Sequence, residues 1–365
     1  MKFPEQLDQF GFGIEAEFLI CDAVSLKPHW HDTLDFATLN SLIENIEIAD
    51  LPALRYLELE APHTKLSPFI VEGYHVPDPN FAPQDLLPKG IEIRTPFCDS
   101  IDECIGVLKL LFDRLQDQLG KNGLRAAIIS HHPYATEFEG PQNKRRYDFW
   151  RWSMEAMLTY GPDINVSLPL DLRSKIDPRD LHAKANYYGP ALAALTMASP
   201  FCSGQVWKIR GRKGKSLRTH RRSVYGQLLE LHPEENGRME FKPFEMTNRL
   251  DAFRAYILSW LALLLDDGLK GRASYQSRIY DLGNIAVHGV DSETVAPRAT
   301  EVLERADQVL ASHGFDPAAL ELFRDRLSKR RTPADDMIEL FESSGSIEKV
   351  LERYCTLEES APVEV

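Results

Sequence analysis

No stretch of this 365-residue chain stays apolar long enough to cross a membrane as a helix. The longest apolar run, Ala255 to Leu265, is broken only by Ser259 and closed by Arg254 and Asp266, which predicts a buried core helix. The opening residues Met1-Lys2-Phe3-Pro4-Glu5 lack the basic-then-apolar plan of a secretion signal. Cysteine is scarce: Cys21, Cys98, Cys104, Cys202 and Cys355 are odd in number and have no CxxC spacing. That excludes a disulfide framework and a cysteine zinc site, and predicts reduced thiols in a cytoplasmic protein. Internal repeats and low-complexity tracts are also missing. Basic residues are outnumbered, 42 Lys and Arg against 55 Asp and Glu, and the net charge of −13 speaks against a general nucleic-acid binder.

Arg210 to Arg222 runs against that balance, with Arg210, Arg212, Lys213, Lys215, Arg218, Arg221 and Arg222 in one short segment. A local basic loop in an acidic chain suits a small anion, such as ATP or a carboxylate, better than a long polyanion such as RNA. Within it Gly214-Lys215-Ser216 imitates the end of a P-loop. The glycine required five positions earlier is Ile209, however, and the segment is expected to lead into a strand. His29-Trp30-His31 and His131-His132 lack partners at zinc spacing. His132-Pro133 reads as a loop at a strand end. No Gly-x-Ser-x-Gly or Cys–His arrangement stands out for nucleophilic hydrolysis.

What is present is a set of alternating strands with acids on one side. In Gly13-Ile14-Glu15-Ala16-Glu17-Phe18-Leu19-Ile20, the residues Ile14, Ala16, Phe18 and Ile20 share one face, and Glu15 and Glu17 crowd the other. Two carboxylates at that spacing repel, and a hard cation such as Mg²⁺ relieves them. The pattern recurs with Glu92 and Arg94, with Asp163, Asn165 and Ser167, and with Arg238, Glu240 and Lys242. Together they predict a sheet whose concave face is lined by Glu15, Glu17, Glu92, Asp163 and Glu240, able to hold cations that bridge ATP phosphates. A plain solvated sheet face is the alternative.

Strands are expected at Phe10–Ile20, Phe69–His75, Gly90–Thr95, Leu124–Ser130, Asp163–Leu168, Val224–Leu231 and Arg238–Phe244. Helices are expected at Ile101–Leu119, Tyr147–Tyr160, Pro178–Ala198 and Leu250–Leu269, then at Thr300–Ser312, Pro317–Ser328 and Pro333–Phe341 in a mainly helical remainder. Tyr74 to Gly90, with Pro77, Pro79, Pro83 and Pro88, is expected to be irregular, as are His131 to Lys144 and Cys202 to Ser223. All three are placed at the rim of a site. Strands and helices do not alternate regularly. The fold class is therefore α+β, an antiparallel or mixed sheet with helices packed on one side. Residues 1–271 are assigned to a catalytic domain and 272–356 to a helical portion packed on it; the tail Leu357–Val365 has a composition that frays.

These motifs, in this order from about residue 11 to 246, resemble the glutamate–cysteine ligase superfamily and its carboxylate–amine ligase relatives. Gly13 to Glu17 matches the family's Gly-Ile-Glu-x-Glu strand, and Glu92 to Pro96 its Glu-(Ile/Phe)-x-Thr-Pro strand. Asp85 matches an aspartate seven residues earlier in some members. Gly161 to Pro169 looks like the Gly-x-His-x-Asn-x-Ser-Leu-Pro strand. Ala198-Ser199-Pro200 with Ser216-Leu217-Arg218 is similar to the Ala-Ser-Pro and Ser-Leu-Arg elements, and Met239 to Lys242 resembles a late Glu-x-Arg strand. Two positions depart from the pattern: Asp163 stands for a His and Lys242 for an Arg. Both leave ATP chemistry intact and put the family's usual substrates, glutamate and cysteine, in question.

The resemblance implies a glutamine-synthetase-like catalytic fold, with a mostly antiparallel curved sheet and helices behind it. It also implies an ATP-dependent ligase: a carboxylate attacks the γ-phosphorus of ATP, and an amine displaces phosphate from the acyl phosphate to form an amide. Glu15, Glu17, Glu92, Asp163 and Glu240 would hold two or three Mg²⁺ ions. Arg218 would grip the transferred phosphate or the substrate carboxylate, Lys242 would assist near the phosphates, and Asn165 would touch nucleotide or metal. Asp85 would be a further ligand or would deprotonate the incoming ammonium. The partners implied are a small-molecule acid and amine, with no nucleic acid and no membrane, and with self-association open. A silent ATP or amino-acid sensor on the same fold and a phosphotransferase are the alternatives.

Overall fold

The computed structural model describes residues 8–51, 57–142 and 146–359. Its strands are β1 (Gly11–Asp22), β2 (Phe69–Pro77), β3 (Pro83–Arg94), β4 (Leu124–Ala127), β5 (Pro162–Ser167), β6 (Phe201–Cys202), β7 (Gln205–Val206), β8 (Lys208–Ile209), β9 (Arg212–Lys213), β10 (Leu229–His232) and β11 (Arg238–Phe241). Seven of them form one sheet in the order β10-β11-β5-β1-β3-β2, with β4 on the far end of β1; β6 with β7 and β8 with β9 make two small ribbons. Every pairing in the main sheet is antiparallel.

The helices are α1 (Phe36–Glu44), α2 (Ile101–Gly120), α3 (Tyr147–Ala156), α4 (Leu170–Arg173), α5 (Pro178–Ala194), α6 (Leu217–Arg222), α7 (Leu250–Leu265), α8 (Tyr275–His288), α9 (Val295–Ser312), α10 (Glu321–Lys329), α11 (Pro333–Ser344) and α12 (Ile347–Arg353). Among the described residues no helix is long and apolar enough to cross a membrane.

Alternation in β1 sets the two sides of the sheet. Phe12, Ile14, Ala16, Phe18 and Ile20 are all buried in the main core. Behind them lies α2, whose start is fixed by the Ser100 hydroxyl accepting from the Glu103 amide at 3.1 Å, and Phe112 meets Phe18 with ring centroids 5.0 Å apart. The apolar run expected to be a core helix is α7, buried throughout from Ala255 to Leu264. Trp260 of α7 stacks on Phe241 at 4.3 Å, so the helix holds up β11 from below.

The α+β class and the antiparallel sheet with helices behind it stand as expected. Three local expectations do not. Tyr74 to Gly90 is not irregular: it closes the β2–β3 hairpin, which tolerates its prolines because β2 is an edge strand, Pro83 is the first residue of β3, and Pro88 abuts a bulge. Cys202 to Ser223 carries both ribbons and α6, so Gly214-Lys215-Ser216 leads into a helix after all; the missing glycine at Ile209 still rules out a P-loop. The strand expected from Val224 begins only at Leu229. Lys144 lies outside the described residues, as do Met1 to Glu5 and positions 360–365 of the tail. Leu357 is buried, and the backbone of Glu358 bonds to Asn248 and Leu250.

Candidate active site

Glu15 and Glu17 occupy successive outward positions on the central strand, so each faces a different neighbourhood. Register places Glu15 opposite Asp163 of β5 and Arg94 of β3, and Glu17 opposite Glu92 of β3. One carboxylate oxygen each from Glu15, Asp163 and Glu240 falls within 4.8 Å of the others. Glu17, Glu72 and Glu92 form a second such group. A third, Glu230, His232 and Glu240, flanks the first on β10 and β11.

Each of the two β1 groups carries a lysine. The Lys242 ammonium donates to Asp163 at 2.9 Å and to Glu240, and lies 3.7 Å from Glu230. Lys89 donates to Glu17 at 2.7 Å and to the Thr159 carbonyl at 2.9 Å, with Glu72 at 3.8 Å. Lys89 reaches there because it is the bulge residue of β3: Glu72 pairs with Gly90 and Gly73 with Pro88, leaving Lys89 unopposed and re-aimed. Gly90 beside it is required, since a Cβ there would lie 2.1 Å from the Phe18 carbonyl oxygen. Arg94 donates to Glu92 at 2.7 Å and to Glu60 at 2.6 Å.

Burial and like charge push the Glu72 and Asp163 carboxyls up to about 7 and Glu92 well above the usual range, although Lys89, Lys242 and Arg94 oppose the rise. Burial also works against Glu17 and Glu240. There Lys89 holds Glu17 below the usual carboxylate range, and the His232 bond and Lys242 hold Glu240 well below it. These crowded acids are an oxygen-only donor set of the kind hard divalent cations prefer.

Arg218 approaches the same face from α6. It is only 3 % exposed, and its guanidinium makes one bond, to the Lys242 carbonyl at 3.3 Å, leaving Nε buried without a partner. Gly161 makes room for it, because a Cβ there would sit 2.0 Å from an Arg218 terminal nitrogen. Burial and the neighbouring Arg222 push the Arg218 guanidinium down to about 10.

The turn that carries Arg218 is anchored by Glu245, which is fully buried. Its carboxylate accepts from the Ala198 amide at 2.7 Å, the Ser199 hydroxyl at 2.8 Å, the Thr219 hydroxyl at 3.2 Å and the Ser216 hydroxyl. The Ala-Ser-Pro and Ser-Leu-Arg segments therefore meet on one acid.

The structure thus brings together Glu15, Asp163, Glu240 and Lys242, with Asn165 opposite Glu240, and separately Glu17 and Glu92, with Arg218 alongside. Asn165 accepts from Arg238 at 2.6 Å, while its amide nitrogen is buried and unpartnered. Asp85 does not join them. It is exposed near the hairpin end, seven residues or roughly 20 Å along β3 from Glu92, and binds the Leu86 amide. Sequence reasoning missed Glu72, Lys89, Glu230, His232 and Glu245. The histidines that it set aside do meet: Trp30 packs on His132 at 4.6 Å and His31 on Phe138 at 4.4 Å. Among the described residues they form no candidate metal group. The orphaned Arg218 and Asn165 nitrogens beside carboxylate groups fit a ligand that combines cation and oxyanion, as magnesium nucleotide does.

Comparison with known proteins places the chain in a family and a fold. The model of "Glutamate-cysteine ligase family 2(GCS2)" matches residues 11–259. Two curated proteins, both described as "Putative glutamate--cysteine ligase 2", are similar: one from Jannaschia sp. is 26% identical over 54% of this chain and 43% of its own length. The other, from Rhodospirillum rubrum, is 29% identical over 40% of this chain and 35% of its own. The chain thus spans less than half the length of these relatives. Among solved structures, a bifunctional glutathione synthetase from Pasteurella multocida shares the fold with a TM-score of 0.63 and 15% identity, over 95% of this chain and 52% of that one. A glutamate–cysteine ligase from Francisella tularensis in complex with AMP has a TM-score of 0.60 and 14% identity, over 97% and 89%.

Proposed function

The chain belongs to glutamate–cysteine ligase family 2, and we propose on that premise that it is an ATP-dependent carboxylate–amine ligase. The observation that carries this reading is the pair of carboxylate groups on adjacent outward positions of β1, with a buried, half-satisfied arginine beside them. Glu15, Asp163 and Glu240 would hold one Mg²⁺, and Glu17, Glu72 and Glu92 another. When bound, the ions supply positive charge against the ATP phosphates.

The chain's own residues do the rest. Arg218 holds the transferred phosphoryl group or the acid substrate through its unpartnered Nε. Lys242, bonded to Asp163 and Glu240, would turn its ammonium towards the phosphates if a cation took those carboxylates. Asn165 offers its free amide nitrogen to the nucleotide. The acid substrate's carboxylate attacks the γ-phosphorus of ATP and expels ADP, and an amine then attacks the acyl carbon, releasing phosphate and a proton to leave an amide. Asp85, exposed and roughly 20 Å along β3 from Glu92, is too far from these groups to serve as ligand or base and takes no part in this scheme. In this reading residues up to 271 form the catalytic domain, and 272–356 pack on it.

The test is Mg²⁺-dependent phosphate release from ATP with mass-spectrometric product detection, offering glutamate and other acids with cysteine and a panel of amines. An amide matched to phosphate release establishes the ligase. ADP with a phosphorylated acceptor replaces it by a phosphotransferase, and nucleotide binding without turnover replaces it by a sensor. Glu15→Gln should abolish turnover with the fold intact.

A further inference from the structure

Arg218 and Arg222 stand one turn apart on α6 and line the same small pocket, together with Gln227, Leu228, Lys242 and Leu282. Arg222 is as poorly engaged as its neighbour. Its one hydrogen bond is long, 3.4 Å to the Thr159 hydroxyl, and its guanidinium lies 5.9 Å from the Trp152 ring centre. Among the described residues neither arginine forms an ion pair. Arg221, between them in sequence, is by contrast paired with Glu155. Two guanidinium groups facing one pocket, one of them buried with an orphaned Nε, are a costly arrangement unless an anion completes it.

The pocket's walls narrow the choice of anion. Beside the two arginines and Lys242, the pocket is lined by Leu228 and Leu282. Those walls suit carbon, and the forked donors suit a planar oxyanion. We infer that Arg222 and Arg218 clamp a carboxylate of the acid substrate, with Arg222 as the residue that selects it. The inference rests on the ligase reading, and it adds a substrate-recognition residue that the motifs do not mark.

The test is titration calorimetry on the full chain with saturating magnesium and a non-hydrolysable ATP analogue. Glutamate, aspartate, succinate and butyrate serve as carboxylate probes and inorganic phosphate as a separate arm. At least one carboxylate should bind the wild type, with affinity reduced about tenfold or more in Arg222→Met and by less in Arg222→Lys, which keeps the charge without the fork. Phosphate and nucleotide affinities should stay within about twofold, and the melting temperature of the variants should match the wild type. Unchanged carboxylate affinity in Arg222→Met, no carboxylate binding to the wild type, or a loss confined to phosphate overturns the clamp. Failure of the wild type to bind nucleotide overturns the ligase reading instead. Titration of the nucleotide-free protein then still decides the clamp.

Discussion

Lys242, the residue after β11, reaches Asp163 of β5 and donates to it at 2.9 Å. The two positions at which this chain departs from the motif pattern it resembles are thus one pair. Where that pattern sets a neutral or weakly basic His against an Arg, this chain sets an acid against a lysine. The exchange adds a carboxylate to the Glu15–Asp163–Glu240 group and keeps one cationic side chain, the Lys242 ammonium, bonded to it.

In the proposed reading, metal binding by the acid groups should depend on pH. Burial and neighbouring carboxylates push Asp163 and Glu72 up to about 7, above their unfolded values, so the native state binds those protons more tightly. The stability this contributes is complete below about pH 4 and is lost as pH rises through about 7. In chelator the melting temperature should fall between about pH 5.5 and about pH 8, and Mg²⁺ should restore more of it at the higher pH, where the carboxylates are free to bind. A magnesium effect equal at both pH values would contradict the assignment.

Lys89 serves the second group as Lys242 serves the first. Lys89→Met leaves Glu17 and Glu72 without their ammonium and should cost about 3–5 kcal/mol in urea unfolding, as for a broken buried pair. Because a divalent cation can take the same place, Mg²⁺ should stabilise this variant more than the wild type. Equal stabilisation of both would show that no cation enters between Glu17, Glu72 and Glu92.

Glu245 acts on Arg218 through the turn. Glu245→Ala strands three hydroxyl groups and an amide, and should lower stability by about 3–5 kcal/mol; Glu245→Gln, which keeps an acceptor, should lose about 1–3 kcal/mol. Differential scanning calorimetry separates the two. An alanine variant as stable as the wild type would remove the anchor from the account.

Gly161→Ala drives a methyl group into the Arg218 guanidinium. Arg218 must therefore shift by about an ångström, and turnover should fall by about 100-fold with little change in melting temperature. Normal turnover would mean that the close approach has no bearing on the reaction.

The first acid group was open to reading because β1, β5 and β11 alternate cleanly, and their registers put Glu15, Asp163 and Glu240 where pleat counting expects them. Glu72 escaped because it shares its strand face with Ile70 and Tyr74, so alternation does not single out a carboxylate. Lys89 escaped because a bulge, which has no simple sequence mark, turns it to the acid side. His232 and Glu230 follow the same period-two pattern as Glu240, but a strand start placed five residues early hid the pairing. Glu245 meets Ser199 across 46 residues of chain, a contact that no local pattern encodes. The prolines of the β2–β3 hairpin misled because edge strands and bulges excuse them.

One further property follows from β1 lying in the middle of the sheet. Glu15 and Glu17 belong to different acid groups yet are separated by a single pleat, a rise of about 6.8 Å. The interval between the two clusters is therefore a covalent dimension, set by bond lengths and not by packing. Breathing of the loops, motion of α6 or repacking behind the sheet can tilt this pair of sites but cannot stretch it. The strand is a ruler, and whatever is laid along it must match its one graduation.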